Sequence, residues 1–323
     1  MRPLYVDCSG KQEKSMRLRE LSFTAGDQQE IYFYNWLPEG EVKAVVSIAH
    51  GMAERALRYE RFAGDLTSAG FAVYVADLRG HGRTAGNPDN VGIVATDALT
   101  LMTDDLRRLS GLIRKEFPAV PLFLFGHSMG SFLAQGYMIQ GGEELQGVVL
   151  SGVLGPAGLL TLAGKLIAGG ESALAGRNSR SKLLNVLSFG SYNNQFQPAR
   201  TAFDWLSRDS AEVDKYINDP YCGGVFPAGF FYDLFSYWRM IHRPDGLRKI
   251  SLNLPLYFIS GSNDPVAGNT RGVKKLIKIY EQLGMKDITY KFYEGGRHEM
   301  LNEINRAEVI ADLISWLDNK IQN

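Results

Sequence analysis

Residues 121–140, PLFLFGHSMGSFLAQGYMIQ, constrain what this chain can fold into more than any other stretch. The unbroken apolar run Leu122, Phe123, Leu124, Phe125 is what a parallel strand covered on both faces requires. It breaks at Gly126-His127-Ser128-Met129-Gly130, after which Leu133 and Tyr137 resume at helical intervals. The pattern predicts strand, tight turn, helix. G-x-S-x-G needs small residues at both ends, because a serine on so sharp a turn brings neighbouring backbones almost into contact. The turn strains the serine backbone, lifts its hydroxyl above the sheet and aims the first amides of the next helix at whatever the hydroxyl attacks. Ser128 is thus a candidate nucleophile and the Met129 amide a candidate donor to an oxyanion. An ordinary glycine-bounded turn would look the same, so a base, an acid and a second donor must be found elsewhere.

The flanking chain supplies a frame for such a turn. Two β-rich runs at 18–23 and 31–36, separated by Ala25-Gly26-Asp27, predict an antiparallel hairpin. Residues 44–49 and 71–76 read as buried strands joined by a helix over about 56–69, with Gly70 as its cap. A long amphipathic helix over 96–117 leads to the serine strand, and 147–151 is the next buried strand. After an interruption come strands at 255–260 and 288–293 and helices at about 270–283 and 305–321. This alternation predicts an α/β protein: a mostly parallel, doubly wound sheet of about eight strands with right-handed crossovers.

The interruption, 155–248, contains helical fragments and no convincing buried strand, so residues 1–154 and 249–323 are expected to form the core and 155–248 an inserted helical lid. Fourteen aromatic residues lie between Phe189 and Trp238. An inserted unit needs a small core of its own, which accounts for most of these rings; the sharper expectation is a lid whose inner face offers an apolar pocket over Ser128. His50, Phe226 and Phe230 are candidates for contact with substrate there.

Lysines plus arginines equal aspartates plus glutamates, 35 each, so no global field steers the chain towards nucleic acid or an anionic membrane. Cys8 and Cys222 are the only cysteines, far apart and in no zinc or disulfide pattern, which suits a reducing compartment. The first twenty residues are charged throughout and have no apolar core of a leader, and no apolar run is long enough to span a bilayer. A cytoplasmic protein with a loose N-terminus and small or neutral partners is expected.

A serine hydroxyl is a poor nucleophile until a base removes its proton, and that base must be oriented by a carboxylate. Of the five histidines, His127 adjoins the nucleophile and points away from it, His50 and His81 sit beside glycines in loops, and His242 lies in the insertion. His298 follows the last strand, downstream of Asp264, which itself follows a strand. Ser128, Asp264 and His298 therefore obey the chain order and loop placement required of a nucleophile, acid and base on such a sheet. Singly, Asp264 is a turn residue and His298 a loop histidine; Asp233 and Asp245 are the fallback acids. The second oxyanion donor is expected in the loop after the 44–49 strand, at the Met52 amide.

With these residues assembled, the chain from about residue 23 onwards resembles the serine α/β-hydrolase family of monoacylglycerol lipases, lysophospholipases and related serine aminopeptidases. The resemblance is carried by His50-Gly51-Met52-Ala53-Glu54, Arg58-Tyr59, Asp77-Leu78-Arg79-Gly80-His81-Gly82, Gly126-His127-Ser128-Met129-Gly130, Gly261-Ser262-Asn263-Asp264 and Gly296-Arg297-His298-Glu299. It implies the α/β-hydrolase fold with an inserted lid, the same roles for Ser128, Asp264 and His298, and no cofactor or metal. Residues 218–226 are similar to a lid segment of bacterial members. Arg55 stands where the family usually has histidine, and Thr84 where serine commonly follows the Gly-His-Gly loop; both flank the pocket mouth. The expectation is a carboxylic ester hydrolase working through an acyl-enzyme on a monoacylglycerol, a lysophospholipid or a similar apolar acyl ester, with transient lipid contact through the lid. Two rivals stand beside it. A proline-type aminopeptidase would use the same triad and need lid acids such as Glu171, Asp204, Asp209, Glu212, Asp214 or Asp219 to grip an ammonium group. A binding protein would keep the fold with idle chemistry.

Overall fold

A computed structural model describes residues 17–322 of the chain; Cys8 and the expectation of a loose N-terminus lie outside the described residues. Eight strands form one sheet in the order β1-β2-β4-β3-β5-β6-β7-β8. They are β1 Arg17–Thr24, β2 Glu30–Leu37, β3 Ala44–Ala49, β4 Phe71–Ala76, β5 Leu122–His127, β6 Gly147–Ser151, β7 Leu256–Gly261 and β8 Ile288–Tyr293. The β1-β2 hairpin and the β2-β4 pair are antiparallel; every later pair is parallel. The sheet is the mostly parallel, eight-stranded arrangement that the alternation of apolar runs implies.

Each strand divides its side chains between two cores, as a period of two requires. Along β4, Phe71, Val73 and Val75 meet α1 (Glu60–Ser68) and α10 (Arg306–Ile321), whose Phe62, Leu66, Leu313 and Trp316 cover that face. Ala72, Tyr74 and Ala76 join the other core, shared with α2 (Ala98–Glu116), α3 (Met129–Gly141) and α9 (Arg271–Leu283). Between β3 and β4 the expected single helix opens instead as a 3-10 turn, Ala56–Tyr59, before α1 begins. Tight first turns of this kind are common where polar partners hold the entry, and here Asp77 Oδ1 accepts the Ala56 N–H at 2.8 Å.

From β6 to β7 the chain is helical: α4 Leu159–Ala175, α5 Lys182–Phe189, α6 Ser210–Asn218, α7 Ala228–Ile241 and α8 Pro244–Leu247, with one isolated bridge, Arg180 to Pro227. Helix α7 anchors this insertion. Its Tyr237 hydroxyl lies 2.5 Å from Thr103 Oγ1 on α2, and its Trp238 stacks on Phe132 of α3 with ring centroids 5.0 Å apart. Helix α4 rests on α7, with Gly164 against the Phe235 ring, and turns a row of leucines outward. The aromatic residues divide accordingly: Trp205 and Tyr216, with Phe189, Tyr192 and Phe203, make a small core of the insertion, while Phe226, Phe230 and Phe231 join the main core.

Candidate active site

Ser128 stands between β5 and α3 with φ 51° and ψ −117°, a conformation an L-residue adopts only under constraint. The constraint is close packing. A Cβ on Gly126 would lie 2.5 Å from the Gly130 carbonyl oxygen, and one on Gly130 would lie 1.9 Å from that of Ala49, so neither place admits another residue without movement. The Ser128 N–H donates to Ser151 O at 2.9 Å, tying the turn to the end of β6.

The end of β6 is also where His298 arrives. Gly152 lies so close to His298 that a Cβ there would be 2.9 Å from the imidazole Cε1. His298 Nδ1 lies 3.0 Å from Asp264 Oδ2, and Asp264 Oδ1 accepts the Val266 N–H at 2.9 Å, so the carboxylate is held from both sides. Both residues are buried. Burial alone would lower the His298 pKa, but the charge of Asp264 and its hydrogen bond, with Glu299 and Glu54 further out, raise it overall. The Ser128 hydroxyl itself is half-buried and donates to no neighbour among the described residues, as is common before substrate closes such a site. Asp233 bonds the Ala98 N–H and pairs with Arg177, and Asp245 is exposed beside Arg243, so neither fallback acid meets His298.

The loop after β3 lies on the other side of the serine: a Cβ on Gly51 would be 3.2 Å from Ser128 Cβ. The amides of Met52 and Met129 have no acceptor among the described residues, Met129 because it begins α3. Ala53 takes a positive φ of 59°, held by its N–H donating to His81 Nε2 at 3.3 Å and its carbonyl accepting from Gly223 N–H at 3.0 Å.

Three expected substrate contacts are corrected. His50 is fully buried, with Nδ1 2.8 Å from Gly51 O and Nε2 accepting the Leu78 N–H at 3.1 Å, so no ring nitrogen is left for a ligand. Phe226 and Phe230 are buried too, packed edge to face with each other and against His81, centroids 5.2 and 5.9 Å away. All three support the Met52–Ala53 loop from behind. Period and composition place a ring on an element but do not say which side of a loop it meets.

Two features escaped the sequence. Trp205, in the insertion, tilts over His298 with centroids 5.3 Å apart, while Glu299 N–H donates to Leu206 O at 2.8 Å. Arg58 bridges Glu54 and Glu299. The i,i+4 charges Glu54 and Arg58 beside a catalytic-type loop were the available signal; for Trp205 there was none.

No helix among the described residues is long and apolar enough to cross a membrane, and no group of metal-ligating side chains is assembled among them. The model of the family described as serine aminopeptidase, S33, matches residues 40–305. The chain is 29% identical over 302 residues to a monoacylglycerol lipase of Mycolicibacterium smegmatis, covering 92% of this chain and 96% of that one. It is 28% identical over 301 residues to human monoglyceride lipase, covering 91% and 88%. A thermostable carboxyl esterase from Bacillus coagulans, solved in complex with glycerol, superposes with a TM-score of 0.86 at 26% identity, covering 95% of this chain and all of that one. The strained serine, the paired histidine and aspartate and the two free amides occur on a sheet and in a sequence of one family: the chain belongs to the serine aminopeptidase S33 family, as a monoacylglycerol-lipase-like serine hydrolase of the α/β-hydrolase fold.

Proposed function

We propose that the protein hydrolyses carboxylic esters of an apolar acyl group, a monoacylglycerol or lysophospholipid, through an acyl-enzyme on Ser128. His298 Nε2 takes the Ser128 proton as Oγ attacks the ester carbonyl, and Asp264 holds the imidazole in the orientation this needs. The carbonyl oxygen, now charged, receives hydrogen bonds from the Met52 and Met129 amides. His298 returns the proton to the leaving alcohol, then takes one from water, whose hydroxide releases the fatty acid and restores the serine. The observation that carries this is the 3.0 Å bond from His298 to Asp264 at the same strand end that holds the strained Ser128 turn. Residues 155–248 serve as the cap over this site, and the described residues of 1–154 and 249–323 as its scaffold. Exposed Leu159, Leu160, Leu166 and Leu174 on α4 support transient contact of that cap with lipid.

The aminopeptidase reading has the family description in its favour and the lid acids against it. Glu212 is paired with Arg61 and Lys215, Asp219 with Arg55, Asp209 with Arg306 and Asp214 with Arg200, while Asp204 is bonded by Thr201. Glu171 keeps one carboxylate oxygen without a partner. Hydrolysis of monoacylglycerols and a p-nitrophenyl acyl series, set against a proline anilide, separates the two readings. A fluorophosphonate probe should label the native protein and not Ser128→Ala; a native protein that neither labels nor turns over any ester would instead be a ligand-binding member of the fold.

A further inference from the structure

The oxyanion loop and the base loop come from opposite ends of the chain, and no backbone hydrogen bond joins residues 50–55 to residues 296–300 among those described. Side chains join them instead. Arg58 donates from Nη1 and Nη2 to the two carboxylate oxygens of Glu299 at 2.6 and 2.7 Å, and from Nη1 to Glu54 Oε2 at 2.7 Å. Glu54 Oε1 in turn accepts the Gly51 N–H at 2.5 Å and the Tyr59 hydroxyl at 3.0 Å, while Glu299 Oε2 also accepts from Asn302 Nδ2 at 2.8 Å. The three charged side chains are 5–10% exposed. One guanidinium is therefore fixed to the residue after His298 and, through Glu54, to the residue before Met52.

Two carboxylates and one cation in the interior are an expensive way to hold a fold, because the desolvation of each charge must be offset by its partners. Burial would raise the Glu299 pKa, yet the charge and hydrogen bonds of Arg58 hold it below the usual carboxylate range. What such a bridge offers that apolar packing does not is direction. The fork of an arginine matches a carboxylate in one plane and at one spacing.

We propose that Arg58 is a positioning residue, which through Glu54 and Glu299 sets the separation between the Met52 amide and the His298 imidazole. The tetrahedral intermediate needs both at once, since the oxyanion donor and the proton shuttle act on atoms bonded to a single carbon. A displacement of about 1 Å of one against the other costs on the order of 100-fold in rate. The inference rests on the roles given above to Ser128, His298 and Met52 and adds the device that keeps them in register.

Arg58→Lys keeps the cation and loses the fork. With p-nitrophenyl butyrate, its kcat is expected to fall by about 10- to 100-fold with KM changed less than about twofold, and its second-order rate of fluorophosphonate labelling to fall in parallel. Glu299→Gln keeps the shape and removes a charge, so it guards against a failure of Arg58→Lys to fold. It should also lower kcat and, because Glu299 raises the His298 pKa, move the rising limb of the pH–rate profile to lower pH. A role in stability alone would lower the melting temperature and leave the folded enzyme's kcat in place. Folded variants that turn over and label within about twofold of native, or that change only KM, overturn the proposal. If the native protein does not label, or Ser128→Ala labels equally, the catalytic assignment itself has failed, a distinguishable result.

Discussion

Five histidines, all largely buried, carry five different loads. Burial pushes His50 and His127 down to about 4 and His81 to about 3, with the neighbouring imidazoles His298 and His50 adding to the effect at His127 and His81. His242, at the end of α7 with Nε2 3.1 Å from Gln135 Oε1, is likewise pushed to about 4 by burial. His298 alone is raised above its ordinary 6.5. A general base must be unprotonated to work. As pH rises, kcat/KM should therefore climb through a single one-proton limb centred above 6.5. A limb centred near 4, or one with a two-proton slope, in a profile with p-nitrophenyl butyrate would move the base to another histidine. The sequence separated His298 from the rest by chain order and loop placement. It could not show that His50 spends both ring nitrogens on backbone, because that depends on how the loop after β3 folds over the one after β4.

At the scale of elements, the insertion divides into parts with different attachments. Gln195 Nε2 donates to Asn263 O at 2.8 Å, beside Asp264, and Asn269 Nδ2 donates to Gln195 Oε1 at 3.1 Å. Trp205 and Leu206 hold the 298–299 backbone and cover the imidazole, and Gly223 holds Ala53. Helices α4 and α5 carry no bond to these loops among the described residues. Trp205→Ala should cost about 3 kcal/mol or more of stability by denaturant unfolding, as expected for a buried tryptophan. It should also lower kcat about tenfold on a short acyl ester, and Trp205→Phe should recover most of both. Loss on long acyl chains only would make Trp205 a pocket wall instead. The inner strands were legible because burial on both faces forces an apolar run; β3, β4 and β6 fall where those runs predict. The pieces of the insertion were not, because irregular segments such as 190–209 are ordered by partners far away in the chain rather than by a period of their own.

Over the whole molecule, charge is balanced and the apolar surface is not evenly spread. Leu159, Leu160 and Leu174 are 85–91% exposed, and Leu183, Val186 and Leu187 on α5 are also exposed. Isolated exposed leucines need no account, but a cluster on one helix pair is a surface that water disfavours. With equal numbers of basic and acidic residues there is no field to draw the chain to anionic lipid. Binding to uncharged phosphatidylcholine vesicles should therefore be weak and nearly independent of salt, and the pair Leu159→Glu with Leu160→Glu should reduce it by about tenfold or more. Hydrolysis of a dissolved ester should stay as in the native protein while hydrolysis of an emulsion falls. Equal rates on both would remove lipid contact from the account.

The bonds from Gln195, Leu206 and Gly223 to the loops beneath them have a consequence for anyone wishing to alter what this scaffold accepts. Exchanging the entire 155–248 segment for that of a relative would withdraw the supports of the proposed acid, base and oxyanion donor in one stroke. Grafts confined to α4 and α5 would leave those supports standing. Selectivity is open to redesign in one half of the insertion and closed to it in the other.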